Sequence, residues 1–279
     1  MKKFLTLCLA LLMVVTSVVA FSSCKKDEDT LVMATNAAFP PYEYKDGDAF
    51  KGIDVEIAQK IAEKLGMKLE IVDVDFGAVL TGVAEGKYDM GMAGITVTDE
   101  RKQTMDFSDS YATGIQVIIV NDGSSITSLD DLFNFNDDGD PVSLKNPDIR
   151  IGVQENTTGD IYSSDDISNW GFNTLNDDGS INGEDHVKRF KTGAEAVAAL
   201  KNNQVDCVII DNEPAKAFVD ANDGIHLLEG DNEYAIEDYA ICVKKGNTEL
   251  LEKINQALKE LKEDGTIAAI IEKYIPSGK

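Results

Sequence analysis

The chain has 279 residues, of which 43% are hydrophobic, so it can bury one large core or the cores of two smaller lobes. Its 50 acidic side chains outnumber 26 basic ones and give a formal net charge of -24. This balance excludes the basic surface that nucleic-acid binding requires, and it opposes attachment to anionic lipid through surface charge.

The N-terminal segment has the pattern of a secretory signal. Two lysines precede an uncharged apolar run from Phe4 to Ala20, and the chain becomes fully polar after Cys24. The run is short for a membrane span of about 20 residues. We therefore expect residues 1–23 to be a cleaved signal peptide, and a retained anchor helix is the alternative.

The end of this segment resembles a bacterial lipobox. Small residues stand before Cys24, although Phe21 takes the place where leucine is usual. The resemblance implies cleavage before Cys24 and acylation there, with palmitate as an expected chain. Two acyl chains hold a protein on a membrane, whereas one binds only marginally. Residues 24–30 would form a lipidated tether, and the protein would be extracytoplasmic and anchored to the cell membrane.

From Leu31 the hydrophobic pattern alternates between short strands and amphipathic helices. The predicted strands span residues 31–35, 69–72, 88–93, 115–120, 150–153, 205–210 and 239–243. The predicted helices span residues 53–65, 76–85, 98–101, 192–200, a segment opened by Asn212 and Pro214, 248–263 and 266–274. Thr192 and Glu195 have capping-box spacing. Such alternation predicts an α/β fold.

Two stretches, residues 134–146 and 163–183, interrupt this alternation. Both are rich in Asp, Asn and Gly, which predicts surface insertions. The second partly matches a calcium-binding loop, but its first and twelfth positions carry Thr174 and Asp185 instead of the usual Asp and Glu. The Asp, Asn and Gly residues of this stretch are also the ones that tight turns favour. We therefore predict no metal site and leave calcium as the alternative.

The cysteines and histidines give no metal pattern. Outside the first 24 residues the cysteines are Cys207 and Cys242, each in an apolar run, and we predict buried free thiols. A bridge between them is the alternative that sequence leaves open. His186 and His226 are isolated, and no cluster has zinc spacing.

Motifs of catalysis are missing, whereas one segment has the chemistry of an anion clamp. The chain has no nucleophile elbow, phosphate loop or dinucleotide fingerprint. A predicted strand ends at Gly94, which lets the backbone approach a ligand closely, and Thr96 and Arg101 follow. The arginine fork matches a carboxylate in a bidentate way. A solvated arginine on a polar turn is the other interpretation.

Four motifs, in this order, resemble those of the polar amino-acid family of solute-binding proteins. They are Asn36-Ala37-Ala38-Phe39-Pro40-Pro41-Tyr42-Glu43-Tyr44, Gly52-Ile53-Asp54-Val55, Asp75-Phe76, and Ala93 to Arg101 with Asp106-Phe107-Ser108. The chain is similar to glutamine and lysine/arginine/ornithine/histidine binders over nearly all of residues 31–275.

The resemblance implies the periplasmic-binding-protein type II fold: two α/β lobes joined by two hinge strands, with a ligand cleft between them. Residues 31–112 and 239–279 would form a discontinuous lobe 1, and residues 113–238 would form lobe 2. The hinges would fall near Tyr111–Ile115 and Glu237–Tyr239. A ligand that contacts both lobes selects the closed state by its higher affinity for it.

Carried over residue by residue, the resemblance implies an eight-residue amino-acid site. It comprises the carboxylate contacts Arg101, Thr96, Gly94 and Thr158, the ammonium partner Asp211, the aromatic pair Phe39 and Phe76, and the polar-end contact Asn36. The physical logic agrees, because a zwitterion that leaves water needs an anion clamp and a cation acceptor. No cofactor and no catalytic residue is predicted.

The resemblance also implies partners: a membrane permease driven by a cytoplasmic ATPase, with this chain as a monomeric receptor. One rival is an enzyme of the same fold, a cyclohexadienyl dehydratase, with Asp211 or Glu155 as acid or base. Another is a sensory module. Because the sequence up to Lys279 has no apolar span after the N-terminal one, we expect no fused receptor, and a separate partner stays open. Gly94 and Asn36 favour glutamine as ligand, and arginine, lysine and cystine stay open.

Overall fold

The computed structural model describes residues 29–228 and 236–276, so the predicted signal peptide and Cys24 lie outside the described residues. The strands are β1 (Thr30–Thr35), β2 (Ala38–Phe39), β3 (Glu43–Asp46), β4 (Ala49–Lys51), β5 (Lys68–Asp73), β6 (Met90–Gly91), β7 (Met105–Phe107), β8 (Ala112–Gly114), β9 (Gln116–Asn121), β10 (Phe133–Phe135), β11 (Pro141–Leu144), β12 (Ile151–Gln154), β13 (Val187–Phe190), β14 (Cys207–Asp211), β15 (Ile225–Leu227), β16 (Glu237–Tyr239) and β17 (Cys242–Lys244). The helices are α1 (Ile53–Leu65), α2 (Phe76–Glu85), α3 (Arg101–Thr104), α4 (Thr158–Ser164), α5 (Gly193–Lys201), α6 (Asn212–Asp220), α7 (Thr248–Glu263) and α8 (Thr266–Tyr274).

One five-stranded sheet has the order β5-β1-β6-β17-β7. Strand β1 runs parallel to β5 and β6, and β17 enters antiparallel to β6 and β7. Helix α7 covers this lobe through a stripe of Ile254, Leu258 and Leu261, all buried. The parallel strands need helical crossovers, which α1 and α2 supply in the order that the hydrophobic pattern predicts.

A second five-stranded sheet repeats this plan, with the order β13-β12-β14-β9-β15. Strand β12 is parallel to both of its neighbours, and β9 is antiparallel to both β14 and β15. Strand β14 reads Cys-Val-Ile-Ile-Asp and is buried throughout, as expected for a strand covered by helices on both faces.

The chain passes between the two sheets twice, at a short antiparallel ribbon. Strand β8 leads into the second sheet and β16 leads back, and the two pair from Ala112↔Tyr239 to Gly114↔Glu237. The fourth strand of each sheet, β17 or β9, follows directly after a crossing. This is the two-lobed α/β arrangement that the sequence predicts. The predicted hinge segments coincide with the ribbon, and their motion stays a prediction.

The boundaries of most predicted helices agree with the structure, and two strand predictions are wrong. Helices over residues 53–65, 76–85, 248–263 and 266–274 are confirmed at both ends. The strand predicted over residues 88–93 spans only Met90–Gly91. The strand predicted over residues 239–243 is divided into β16 and β17. Strand β16 pairs with β8 in the crossing ribbon, whereas β17 pairs with β6 in the first sheet.

The predicted capping box at α5 is half formed. The Thr192 side chain accepts from the backbone N–H of Glu195 at 3.2 Å, as predicted. The Glu195 carboxylate accepts from the backbone N–H of Lys191 at 3.0 Å, one residue before the cap. The reciprocal bond of the capping box therefore comes from Lys191 instead of Thr192. Residue spacing alone does not specify which of these two backbone N–H groups the Glu195 carboxylate reaches.

The two insertions form ordered turns on the second lobe. The first contains the β10–β11 hairpin, whose Phe133 packs on Phe172 and Trp170 of the second insertion. In the second, Asp178 accepts from both the backbone N–H and the hydroxyl of Ser180. These polar side chains close their own turns. In the described parts of the chain, no group of three His, Cys, Asp or Glu is placed to hold a metal.

Cys207 and Cys242 are free and buried, the first in β14 and the second in β17. They belong to different sheets, and the prediction of two free thiols is confirmed. Burial raises the pKa of Cys242 to about 12, so the thiol stays protonated and unreactive. Within residues 29–228 and 236–276, no helix has both the length and the apolar character for a membrane crossing.

Candidate functional site

A small cavity with a volume of about 10 Å³ lies between the lobes, where parallel strands of both sheets end. Its lining comprises Asn36, Phe39, Glu43, Phe76, Ala93, Gly94, Thr96, Arg101, Gln154, Thr157, Thr158 and Asp211. All eight residues predicted from sequence to form a ligand site are in this set. The crevice beyond the carboxyl ends of strands is where open α/β sheets bind ligands.

Arg101 is held at the first residue of α3, and its side chain reaches both lobes. Its Nη1 donates to the carbonyl oxygen of Thr96 at 2.8 Å, and its Nη2 donates to the carbonyl oxygen of Asn156 at 2.9 Å. The guanidinium lies 5.4 Å from the centroid of the Phe76 ring, within cation–π range. These contacts fix a buried positive charge at the cavity wall.

Asp211 ends β14 on the second lobe and is buried. The hydroxyl of Tyr239 donates to its Oδ1. Burial and the neighbouring Glu237 both raise the pKa of Asp211 above its ordinary range, because each disfavours the ionised form. A cation placed in the cavity would offset both effects, which makes Asp211 a suitable partner for an ammonium group.

Glu237, at the start of β16, is a carboxylate that sequence reasoning missed. Its Oε2 accepts from the hydroxyl of Thr96 at 2.8 Å and from the hydroxyl of Thr158 at 3.0 Å. The side-chain amide of Gln116 donates to the same oxygen at 3.3 Å. Thr96 belongs to the first lobe and Thr158 to the second, so Glu237 connects both lobes at the crossing ribbon.

The first-lobe wall contains a pair of buried carboxyl groups, Glu43 and Asp54. Asp54 accepts from the backbone N–H of Gly94 at 2.9 Å and from the hydroxyl of Tyr111 at 2.8 Å. Burial raises the pKa of Asp54, and these two donors partly oppose the rise. Burial and the adjacent Asp54 hold the pKa of Glu43 well above its usual range. Each of the two therefore holds a proton more readily than an ordinary carboxyl group does.

Phe39 and Phe76 contribute the apolar surface of the cavity. Both rings are nearly buried. Phe39 stacks on Tyr42 with ring centroids 6.0 Å apart. The rings of Tyr42 and Tyr239 pack edge to face, with centroids 5.1 Å apart. This aromatic series runs from the cavity wall to the tyrosine that holds Asp211. It fixes the Phe39 ring in place for contact with an aliphatic side chain.

Replacing Gly94 with alanine should lower stability more than the same change at Gly47. Both glycines have positive φ, +53° and +62°, so each alanine incurs backbone strain of roughly 1 kcal/mol. At Gly94 the new Cβ would also lie 2.9 Å from the Phe39 ring, whereas at Gly47 nothing lies within 4 Å. We expect about 1–3 kcal/mol of additional destabilisation from this crowding, measured by urea unfolding. Equal losses in the two variants would contradict it.

The cleft rim holds further contacts between the lobes. The side-chain amide of Gln154 donates to Asn36 Oδ1 at 2.9 Å. The exposed Lys191 lies 3.2 Å from Asp75 on the first lobe and 2.6 Å from Glu155 on its own lobe. Glu155, an alternative acid or base in the enzyme interpretation, is thus paired at the rim and is not part of the cavity lining.

The site residues that the sequence analysis missed differ in how much local signal they carried. Glu237 contacts Thr96 and Thr158 over 141 and 79 positions of sequence, so no local pattern relates them. Glu43 did have a signal, because it stands in the same aromatic-proline motif as Phe39. Gln154 directly follows the strand predicted over residues 150–153 and ends β12, and that position at a sheet's carboxyl edge was the available indication.

Two five-stranded α/β lobes, a double crossing and an interlobe cavity define a type II periplasmic binding protein. A profile of the bacterial extracellular solute-binding proteins, family 3, matches residues 31–277, and the chain belongs to that family. The "Arginine-binding extracellular protein ArtP" of Bacillus subtilis is 29% identical over 282 residues and covers 100% of both chains.

Two solved structures are similar over most of this chain. An ancestral arginine-binding protein bound to arginine is 37% identical, has a TM-score of 0.73, and matches 88% of this chain and 98% of its own. An ancestral amino acid-binding protein described as a precursor of cyclohexadienyl dehydratase is 27% identical, has a TM-score of 0.72, and matches 88% and 95%.

Proposed function

We propose that this protein captures an amino acid in the interlobe cavity and delivers it to the permease of an ABC uptake system. The observation that carries the proposal is the opposed pair of charges in one enclosed space, Arg101 from the first lobe and Asp211 from the second. An α-carboxylate and an α-ammonium group carry the charges that complement this pair. The amino-acid-binding relatives support the same substrate class.

In this proposal the ligand's two charged groups hold the lobes together. Arg101 and Thr96 bind the carboxylate, with Thr158 assisting from the second lobe, and Gly94, whose backbone N–H donates to Asp54, lets the ligand approach the backbone closely. Thr96 and Thr158 donate their hydroxyl hydrogens to Glu237, so each hydroxyl has to rotate away from Glu237 in order to donate to the ligand's carboxylate. Asp211 binds the ammonium group. Because each lobe supplies part of the site, ligand binding favours the closed arrangement.

Phe39 and Phe76 enclose the aliphatic part of the ligand, and Asn36 contacts its polar end. The β8–β16 ribbon acts as the hinge, with lobe boundaries at residues 112/113 and 238/239. Few backbone segments connect the lobes there, so φ/ψ changes in a few residues can rotate one lobe against the other. The closed form is the one that docks on the permease.

The N-terminal lipid anchor completes the proposal. Acylation at Cys24 would keep the receptor beside the permease, and residues 24–30 would serve as its tether. The acidic surface favours solubility outside the cell and a monomeric state. Palmitate is the acyl chain that we expect there.

A thermal-shift screen tests the amino-acid proposal directly. A ligand that binds only the folded protein stabilises it by about 2.7 kcal/mol at a hundred times its Kd, which raises Tm by several degrees in a protein of this size. We expect such a rise for at least one of the twenty amino acids, cystine or ornithine. The matched amino-acid amide and N-acetyl derivative should give none, because each lacks one of the two charges.

A flat response to the whole panel would contradict the proposed function. The enzyme interpretation is tested in the same sample by adding prephenate or arogenate. Turnover of either would make Asp211 an acid or base instead of an ammonium partner, whereas binding of amino acids without turnover supports the receptor.

A further inference from the structure

Asn156 occupies a backbone conformation that residues with a side chain rarely adopt. Its φ is +66°, in the left-handed region, where asparagine is one of the few residues tolerated. It lies in the turn between β12 and α4, and its backbone N–H donates to Asp160 Oδ2 at 2.9 Å. In the same turn the hydroxyl of Thr157 donates to the carbonyl oxygen of Gln154 at 2.8 Å. The second lobe therefore holds this turn with its own side chains.

The left-handed turn directs the carbonyl group of Asn156 across the cleft. Its oxygen accepts from Arg101 Nη2 at 2.9 Å, whereas Nη1 of the same guanidinium donates to the carbonyl oxygen of Thr96 on the first lobe at 2.8 Å. One carbonyl from each lobe thus orients the guanidinium. When the lobes separate, Asn156 moves away with the second lobe, and of these two bonds only the one to Thr96 is left. The second bond removes the rotation that a single bond allows, and the guanidinium keeps further N–H donors for a ligand.

The absence of a side chain at Gly77 leaves space for this contact. Gly77 is the second residue of α2, on the first lobe. A Cβ added there would lie 2.8 Å from Nδ2 and 3.2 Å from Cγ of Asn156, both closer than ordinary van der Waals contact. Two residues earlier, Asp75 pairs with Lys191 of the second lobe at 3.2 Å. The N-terminal end of α2 therefore packs against the second lobe, and a side chain at position 77 would oppose the approach of the two lobes.

We propose that Asn156 is a positioning residue that completes the Arg101 clamp from the opposite lobe, with Gly77 as the surface on which it rests. The guanidinium is then fully oriented only in the closed arrangement. An amino-acid carboxylate on Arg101 is therefore held more tightly by the closed protein than by the open one, and this differential affinity drives closure. The inference rests on the proposed function, and it assigns a role to a residue that need not touch the ligand.

Calorimetric titration of the full protein with each of the twenty amino acids, cystine and ornithine tests the inference. In Asn156→Val a β-branched side chain makes the left-handed conformation strongly unfavourable, so the turn relaxes and its carbonyl leaves Arg101. We expect every member of the panel that binds the parent protein to bind this variant about tenfold or more weakly, because a hydrogen bond to a charged group is lost. Asn156→Gly keeps the turn and its carbonyl, and it should bind within about twofold of the parent.

Asn203→Val separates the positioning of Arg101 from a general loss of stability. Asn203 also has a positive φ, +56°, and it follows α5 on the second lobe at an exposed position that is not part of the cavity lining. The same substitution there creates the same kind of backbone strain. It should lower Tm to a similar extent as Asn156→Val and leave the affinity unchanged.

Gly77→Ala provides an independent test on the first lobe. Alanine is a better helix former than glycine, so this variant should fold. Its added Cβ should weaken binding about threefold or more, because the lobes can no longer approach to the same distance. Asn156→Gly in the same chain removes the side-chain atoms that this Cβ meets, and the double variant should recover the affinity of the parent.

The possible results are distinct. A folded Asn156→Val protein that binds as tightly as the parent would overturn this inference while the receptor function stands, and so would an equal loss of affinity in Asn156→Gly or Asn203→Val. An unchanged affinity of Gly77→Ala, or a loss that Asn156→Gly does not restore, would also count against it, and this pair decides the question if Asn156→Val fails to fold. A parent protein that binds no member of the panel would instead overturn the proposed function.

Discussion

Replacing Arg101 with alanine should weaken amino-acid binding at least about a hundredfold, because a buried carboxylate would lose its charged, bidentate partner. The guanidinium lies 7% exposed in the wall of the cavity and is fixed by two backbone carbonyls, so it needs no reorganisation to receive an anion. Its removal also breaks the bond from the first lobe to Asn156 on the second. Isothermal titration with the ligand found by thermal shift measures the loss.

Two variants control for this experiment. Lys102→Ala removes the neighbouring positive charge, which is exposed and paired with Asp99, and it should bind normally. Arg101→Lys keeps the charge but lacks the planar fork, and we expect it to recover only part of the affinity. Circular dichroism should show that each variant is folded. Undiminished binding by a folded Arg101→Ala protein would refute the clamp and with it the proposed orientation of the ligand.

The fold was largely predictable because its signals are local and repeated. The stripe of Ile254, Leu258 and Leu261 marked α7, and Gly265 separated it from α8. The prediction failed over residues 239–243, where a continuous apolar run is cut by a change of pairing partner. The pairing partner of a strand depends on the tertiary structure, and hydrophobic periodicity along the sequence does not specify it.

The site was predictable in its charged and aromatic members and not in its supporting ones. Arg101 and Phe39 lie in compact motifs, so their chemistry could be recognised from neighbouring letters. Glu237 could not, because its role depends on hydroxyl and amide donors from three distant segments. Asn156 is a still subtler case, since the bond from Arg101 to its carbonyl oxygen emerges only once both lobes are in place.

Binding should weaken as pH falls, beginning well above pH 4, the ordinary pKa of an aspartate. Burial and Glu237 raise the pKa of Asp211 in the absence of a cation, so at lower pH this carboxyl holds a proton. An ammonium group must displace that proton in order to bind. The affinity is therefore constant above the raised pKa and falls up to about tenfold per pH unit below it. Titrations from pH 8 to roughly pH 5 measure this slope.

Asp211→Asn isolates the carboxylate, because it keeps the size and the acceptor for Tyr239 but cannot ionise. At neutral pH we expect at least about a hundredfold weaker binding and, across the same range, little pH dependence, since the ammonium group has lost its paired charge.

Without ligand, the same substitution should raise the stability of the folded protein. A carboxyl with a raised folded-state pKa contributes stability below its ordinary pKa, and that stability is lost as pH rises towards the raised value. The variant should therefore unfold at a higher temperature than the parent at pH 7. Glu43 and Asp54 titrate in both proteins, so the difference between the two pH profiles reports Asp211 together with its neighbour Glu237. Parallel binding profiles would show that another group is the ammonium partner.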